Sequence, residues 1–164
     1  MGSTFGAGEL SFLPVLFKGL SSIHLGDDDW SEMRRFWSNH ASATGLLRTY
    51  AARKGVPYEG LDGLAFFAAY DAGEPEAAAA LDDFGEMTAA GIYAIQSVLD
   101  LERYAIGGGI SARPEVTDVI RRKLDDIYAG ISFSPFRKPE VVRCRYGNDA
   151  NLLGALRFAL HGGV

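Results

Sequence analysis

The spacing of apolar and polar positions predicts a helical first part of the chain and an α/β second part. In the first part, apolar residues recur at the three- and four-residue intervals of amphipathic helices. Gly and Pro divide this stretch into predicted helices over 30–53, 61–70 and 75–101, the first of them divided near Ser42. The predicted buried positions are Leu46, Leu47, Tyr50 and Ala51 in the first helix and Phe84, Met87, Ile92, Ile95 and Val98 in the longest.

The second part predicts strands and helices in alternation. A buried strand over 103–106 leads through a glycine turn to a helix over 114–128, which begins with Pro in its first turn. A second strand over 139–145 is followed by a final apolar helix that Asn148 or Asp149 caps. This order is typical of an α/β fold in which helices cover a parallel sheet.

The predicted sheet is short of strands. It has two strands, or three if residues 13–16 form a further strand, which is fewer than the usual five or so. Either neighbouring subunits complete the sheet, or strands precede Met1.

Composition limits the function classes. The chain has 164 residues, 48% of them hydrophobic, and a net charge of -5, as expected of one globular domain that does not bind nucleic acid. No stretch approaches the roughly 18 apolar residues of a membrane helix, and the N-terminus lacks the features of a signal peptide. We therefore expect a cytoplasmic protein that does not bind membranes. Cys144 is the only cysteine and is predicted to be a buried structural thiol.

A glycine triplet, Gly107, Gly108 and Gly109, lies between the first strand and its helix and is the main candidate for a ligand site. Glycine has no Cβ, so a ligand can approach its backbone amides closely. The triplet fits the loose dinucleotide pattern G-x-G-x-x-A. However, Arg143 and Arg145 stand where that pattern needs an acidic residue at the end of the next strand. An NAD(P)-binding module therefore stays as a weaker alternative.

Four segments resemble motifs of one known family. Asp100-Leu-Glu-Arg-Tyr-Ala-Ile-Gly-Gly-Gly-Ile-Ser111 is similar to a DPE-x-I-v-i-GGG-i-S segment, and residues 147–155 resemble a closing g-d-A-a-l-i-G-A helix. Gly6-Ala-Gly-Glu9 resembles part of a G-h-x-A-G-E-i-G-H motif, and residues 41–48 resemble a-S-g-t-a-l-l-r. In these motifs and in their order the chain resembles the ROK family (repressors, open reading frames and sugar kinases).

The resemblance implies a partial ribonuclease H-like lobe of the actin- and hexokinase-like ATPase fold, with a helical insertion. The chain would be a single domain over 1–164, the C-terminal lobe of a sugar kinase. Within it, 1–29 would be a sugar-loop segment, 30–101 the helical part and 102–164 the nucleotide-side βαβα part. The sheet would be incomplete because upstream strands are missing, so Met1 would be an artificial start or a wrongly assigned gene start.

The resemblance also implies an ATP-dependent kinase that transfers the γ-phosphate, with Mg²⁺, to a hydroxyl of a sugar or β-glucoside. Gly107, Gly108 and Gly109 would contact the nucleotide, and Glu9 the sugar hydroxyls. The family's catalytic aspartate and first phosphate loop lie in the other lobe, so no catalytic residue is expected in this chain and the chain alone should be inactive. Family members are often dimers or tetramers, so we expect a homo-oligomer.

The chain departs from the family pattern at the zinc site. Phe12 replaces the motif histidine and no cysteine cluster exists, so no zinc is expected. His24, His40 and His161 are scattered and expected to lie at the surface or in the core, and a second sugar-contacting glutamate is replaced by Ser38 or Asn39. Glu9-Leu-Ser-Phe12 resembles a zinc-less branch with β-glucoside kinases. The alternative parent is a ROK-type repressor, of which this chain would be the sugar-sensing half.

Overall fold

A computed structural model of the chain describes Leu10 and residues 36–161. The chain divides into two compact units, Met1–Gly91 and Ile92–Val164. The predicted strand over 13–16 lies outside the described residues, as do Glu9, Phe12 and His24.

The first unit contains helices α1 (Ala43–Lys54) and α2 (Gly63–Asp71) and most of α3 (Pro75–Leu99). Side chains set the start of the first two helices: Ser42 Oγ accepts a hydrogen bond from Gly45 N at 3.1 Å, and the Asp62 carboxylate accepts one from Ala65 N at 2.8 Å. Gly55, with φ of 70°, ends α1 in the left-handed conformation. The predicted helices over 61–70 and 75–101 are thus confirmed, with boundaries shifted by a few residues. Of the helix predicted over 30–53, the part after Ser42 is confirmed as α1, residues 37–39 form only a 3-10 helix, and residues 30–35 lie outside the described residues.

An aromatic cluster forms the core of the first unit. Phe66 is fully buried and makes edge-to-face contacts with Tyr50 and Phe67, at ring-centroid distances of 5.3 and 5.0 Å. The predicted face of α1 is buried. On α3 the predicted residues Phe84, Ile92 and Ile95 are buried as well, and Met87 is half-buried.

The prediction that Val98 is buried is wrong, because its side chain is 80% exposed. The buried position in the last turn of α3 is taken by Gln96 instead, which is 1% exposed. A polar residue at the core face could not be recognised from apolar periodicity.

The second unit contains β1 (Arg103–Ile106), α4 (Pro114–Gly130), β2 (Glu140–Arg143) and α5 (Ala150–His161). The two strands are parallel, with Arg103 opposite Glu140 and Ile106 opposite Arg143, and α4 forms the crossover between them. The predicted alternation of strands and helices is therefore confirmed.

Burial in this unit differs from the prediction at β1. The α4 helix packs against β2, where Val141 is 3% exposed, with Val116, Ile120 and Leu124 buried on the helix. The strand β1 was predicted to be buried, but Arg103 and Ala105 are exposed and its other residues half-exposed. Cys144 is half-buried rather than buried.

Gln96 links the start of β1 to the start of β2. Its Nε2 donates hydrogen bonds to the carbonyl oxygens of Leu101 at 3.1 Å and Arg137 at 3.0 Å, and to the Asp100 carboxylate at 3.1 Å. Its Oε1 accepts from Leu101 N at 3.1 Å and from the Tyr104 hydroxyl at 3.2 Å. Since Leu101 precedes β1 and Arg137 precedes β2, one side chain holds the two strands together at this end.

The helix α5 is apolar but exposed. Its large apolar side chains are all at least 42% exposed: Leu152, Leu153, Leu156, Phe158 and Leu160. Among the helices that the structure describes, none combines the length and apolar character needed to cross a membrane.

Candidate nucleotide-binding edge

The two strands end at the same edge of the parallel sheet, and a loop follows each of them there. Backbone N–H of Cys144 donates to the carbonyl of Ile106 at 2.8 Å, so the ladder continues to the point where both loops begin. In open α/β sheets, ligands bind outside the carboxyl ends of the strands. We call this place the carboxyl edge; it comprises the glycine loop over 107–112 and the second loop over 144–149.

The glycine triplet forms an open stretch of backbone at the carboxyl edge. Gly108 has φ of 77° and ψ of 173°, a conformation that only glycine adopts readily. A Cβ at Gly108 or Gly109 would meet no atom of the described residues within 4 Å, and one at Gly107 would lie 3.8 Å from Cys144 Cβ. The neighbouring protein atoms therefore leave space beside all three residues, which are exposed.

Ser111 holds the glycine loop in place through two hydrogen bonds. Its side chain is fully buried, and its Oγ and backbone N both donate to the carbonyl oxygen of Gly108, at 2.8 and 3.2 Å. A short 3-10 helix, Gly109–Ala112, then leads to Pro114 at the first position of α4. The loop is thus preorganised, with the start of α4 close behind it.

The second loop lies against the first. The carbonyl oxygen of Gly147 is 4.0 Å from the position of a Cβ on Gly107. The loop is tightened by backbone hydrogen bonds from Gly147 N to Cys144 O at 3.2 Å and from Asp149 N to Tyr146 O at 2.9 Å. The residues 147–149 form a 3-10 helix rather than a simple cap, and α5 begins at Ala150.

Tyr146 and Arg145 form a contact in the second loop that the sequence did not predict. Tyr146 is 55% exposed, and the Arg145 guanidinium carbon lies 5.5 Å from its ring centroid. An aromatic residue after a strand carries no signal by itself in a sequence. Arg143, Arg145 and Asp149 are all exposed, so charges of both signs face solvent here.

In the second unit, the groups with a shifted pKa, Tyr104 and Tyr128, do not belong to the carboxyl edge. Burial raises the pKa of Tyr104, and the neighbouring Tyr128 adds to the effect. Burial also raises the pKa of Tyr128, with smaller contributions from Tyr93 and Asp100. Among the described residues, no group of three or more His, Cys, Asp or Glu side chains could hold a metal ion.

The resemblance connects Glu9 and the positions of Ser38 and Asn39 with the sugar. Glu9 lies outside the described residues, and its role stays a prediction. Ser38 and Asn39 lie in a 3-10 helix, Trp37–Asn39, of the first unit. His40 lines a depression of about 220 Å³ on that unit together with Thr49, Asp83, Phe84, Glu86 and Met87.

The turn that carries Ser38 and Asn39 is closely packed. Trp37 Nε1 donates to the carbonyl oxygen of Met87 at 2.8 Å. A Cβ on Gly91 would collide with the Trp37 indole, and one on Gly45 would collide with the backbone of Asn39. Both glycines are therefore needed for the turn to approach α1 and α3.

Comparison with known proteins identifies similar chains. The model of the ROK family matches residues 34–161. A β-glucoside kinase from Klebsiella pneumoniae is 29% identical over 156 residues, 94% of this chain and 46% of that protein. A β-glucoside kinase from Listeria innocua is 30% identical over 111 residues, 68% of this chain and 35% of that protein.

Solved structures show the same fold. A ROK family glucokinase from Streptomyces griseus, in complex with glucose and AMPPNP, matches with a TM-score of 0.76 and 23% identity, covering 94% of this chain and 51% of that one. A ROK hexokinase from Thermus thermophilus matches with a TM-score of 0.71 and 20% identity, covering 94% and 48%. These likenesses confirm the predicted α/β, actin- and hexokinase-like fold class. The chain spans about half the length of these structures and less than half that of the two β-glucoside kinases.

Proposed function

This chain belongs to the ROK family, and we propose that it is the nucleotide-side C-terminal lobe of a sugar kinase. The whole protein would transfer the γ-phosphate of ATP to a hydroxyl of a sugar or β-glucoside. The proposal is supported by relatives named as β-glucoside kinases. In such a protein the division of this chain would follow the predicted segments 1–29, 30–101 and 102–164.

The observation that carries the proposal is the open glycine triplet at the carboxyl edge. Gly108 needs its glycine for its own backbone conformation. Among the described residues, no atom lies within 4 Å of a Cβ on Gly109, and a Cβ on Gly107 would be in ordinary contact with Cys144 and Gly147. Exposed backbone without side chains suits close contact with a flat nucleoside, and the fixed loop would lose little freedom on binding. We therefore propose Gly107, Gly108 and Gly109 as contacts of the adenosine of ATP.

The remaining parts of the proposal concern the whole protein. Glu9 would accept charge-assisted hydrogen bonds from sugar hydroxyls, as a carboxylate does well. Mg²⁺ would accompany ATP, zinc would not be needed, and the general base would come from outside this chain. We further propose that the protein is a cytoplasmic homo-oligomer.

The test is a phosphorylation assay of the whole protein with ATP, Mg²⁺ and a panel of sugars that includes β-glucosides. We expect phosphorylation of at least one sugar, and a raised KM for that sugar in Glu9→Gln. Glu59→Gln is the matched control, since Glu59 lies in an exposed turn between α1 and α2. Sugar binding without phosphorylation would contradict the kinase and favour the sugar-sensing half of a repressor, as would a helix-turn-helix upstream. Tighter binding of NAD(P) than of ATP by this chain would favour the dinucleotide alternative.

A further inference from the structure

A second feature of the carboxyl edge has no role in the proposal above. Tyr146 lies two residues after Cys144, where the ladder of β2 ends, and is 55% exposed on a loop that backbone hydrogen bonds hold in place. Its own carbonyl oxygen accepts the Asp149 N–H at 2.9 Å, so the position of its backbone is fixed. The ring is therefore presented to solvent from a rigid point.

The neighbour of this ring is a cation. The guanidinium of Arg145 lies 5.5 Å from the ring centroid, within the range of a cation–π contact. Arg145 is itself exposed. The guanidinium lies over one face of the ring, so a base would stack on the other face, close to a positive charge that suits phosphate groups.

The loop that carries this pair lies next to the glycine triplet. Tyr146 stands between Cys144 and Gly147, and both of these approach Gly107: Cys144 Cβ and Gly147 O lie 3.8 and 4.0 Å from the position of a Cβ there. The flat backbone of the triplet and the exposed ring thus belong to adjoining loops of one edge.

We propose that Tyr146, with Arg145 beside it, is the surface on which the purine base of the bound nucleotide stacks. This inference rests on the proposed function, because it assumes that the glycine triplet binds ATP. It adds the residues that would recognise the base. Since every base has a π-face, stacking alone discriminates by ring size. We therefore expect ATP and GTP to bind with similar affinity and CTP to bind more weakly.

The experiment measures binding of ATP, GTP, CTP and inorganic tripolyphosphate to the whole protein by isothermal titration calorimetry. Tyr146→Ala should weaken ATP binding between about fivefold and a hundredfold, the range for loss of one stacked base, and should leave tripolyphosphate binding unchanged. Tyr146→Phe should retain ATP binding. Circular dichroism serves to check that each variant is folded.

The chain offers a matched control in its first unit. Tyr58 also carries an arginine over its ring, with the Arg48 guanidinium carbon 5.0 Å from the centroid. Tyr58→Ala removes a ring of the same kind that does not lie at the carboxyl edge, and it should leave ATP affinity unchanged.

The outcomes separate the two proposals. ATP binding by the wild-type protein that Tyr146→Ala leaves unaltered overturns the stacking surface and keeps the nucleotide edge. No ATP binding by the wild-type protein overturns the nucleotide edge and the stacking surface together. Equal losses of ATP and tripolyphosphate binding in Tyr146→Ala also overturn stacking, because the residue would then only support the loop.

Discussion

Gln96 is expected to be the most important single polar residue for the stability of the second unit. Its buried amide is hydrogen-bonded to four residues that precede or begin β1 and β2, and its two Nε2 hydrogens are shared among three acceptors. A typical hydrogen bond contributes about 0.5–1.5 kcal/mol net. In Gln96→Leu, part of this loss is offset by the apolar side chain and by water, which reaches partners such as Leu101, itself 40% exposed. We expect the free energy of unfolding to fall by about 2–3 kcal/mol.

Urea unfolding of the 164-residue chain, followed by circular dichroism, measures this change. Amide hydrogen exchange gives a local readout: the Leu101 N–H donates to Gln96 Oε1 and should exchange faster in the variant. The matched control is Ser97→Ala, because Ser97 is the next residue on α3, is exposed, and its hydroxyl donates to the carbonyl of Ala94 in its own helix. A Gln96→Leu variant as stable as Ser97→Ala would refute the reasoning.

Three further substitutions test other parts of the structure. Gly91→Ala should lower stability by about 1–3 kcal/mol and shift the fluorescence of Trp37, because the new methyl group meets the indole; an unchanged emission spectrum would contradict the packing. Thr117→Val should raise the unfolding free energy by about 1 kcal/mol, since the buried Oγ1 has no hydrogen-bond partner among the described residues; a loss of stability would show that the hydroxyl is satisfied. Hydrogen bonds from Lys54, and secondly Tyr50, hold the pKa of Glu74 below its ordinary value of 4.5, so its stabilisation is present above that pH and is lost as the pH falls further. Glu74→Gln should therefore lower the thermal midpoint at neutral pH, and a midpoint difference that does not shrink as the pH is lowered would contradict this.

The local elements could be predicted from the sequence because their signals are local. Ser42, Gly55 and Pro114 mark helix ends through their own side chains or backbone preferences, and the structure uses each of them in that way. The place of the glycine triplet at the carboxyl edge also followed, since a β-α-β order puts both strand ends on one side.

Features that depend on distant residues could not be predicted. Burial of Gln96 in place of Val98 requires the carbonyl of Arg137, 41 residues away. The contact between Trp37 and Gly91 requires two helical elements to meet closely, and a glycine inside a helix gives no indication of its partner. Likewise, the pairing of Tyr146 with Arg145 depends on the conformation of the second loop.

The crossover connection between β1 and β2 has a consequence for the order of folding. Arg103 and Glu140, the first pair in the ladder, are 37 residues apart, whereas the contacts inside α3 and α4 join residues three or four positions apart. Helix formation is fast, but closing so long a segment costs entropy before the ladder and the Gln96 hydrogen bonds return any free energy. The sheet should therefore form late, so that weakening α4 slows refolding and weakening the Arg103–Glu140 pair mainly accelerates unfolding.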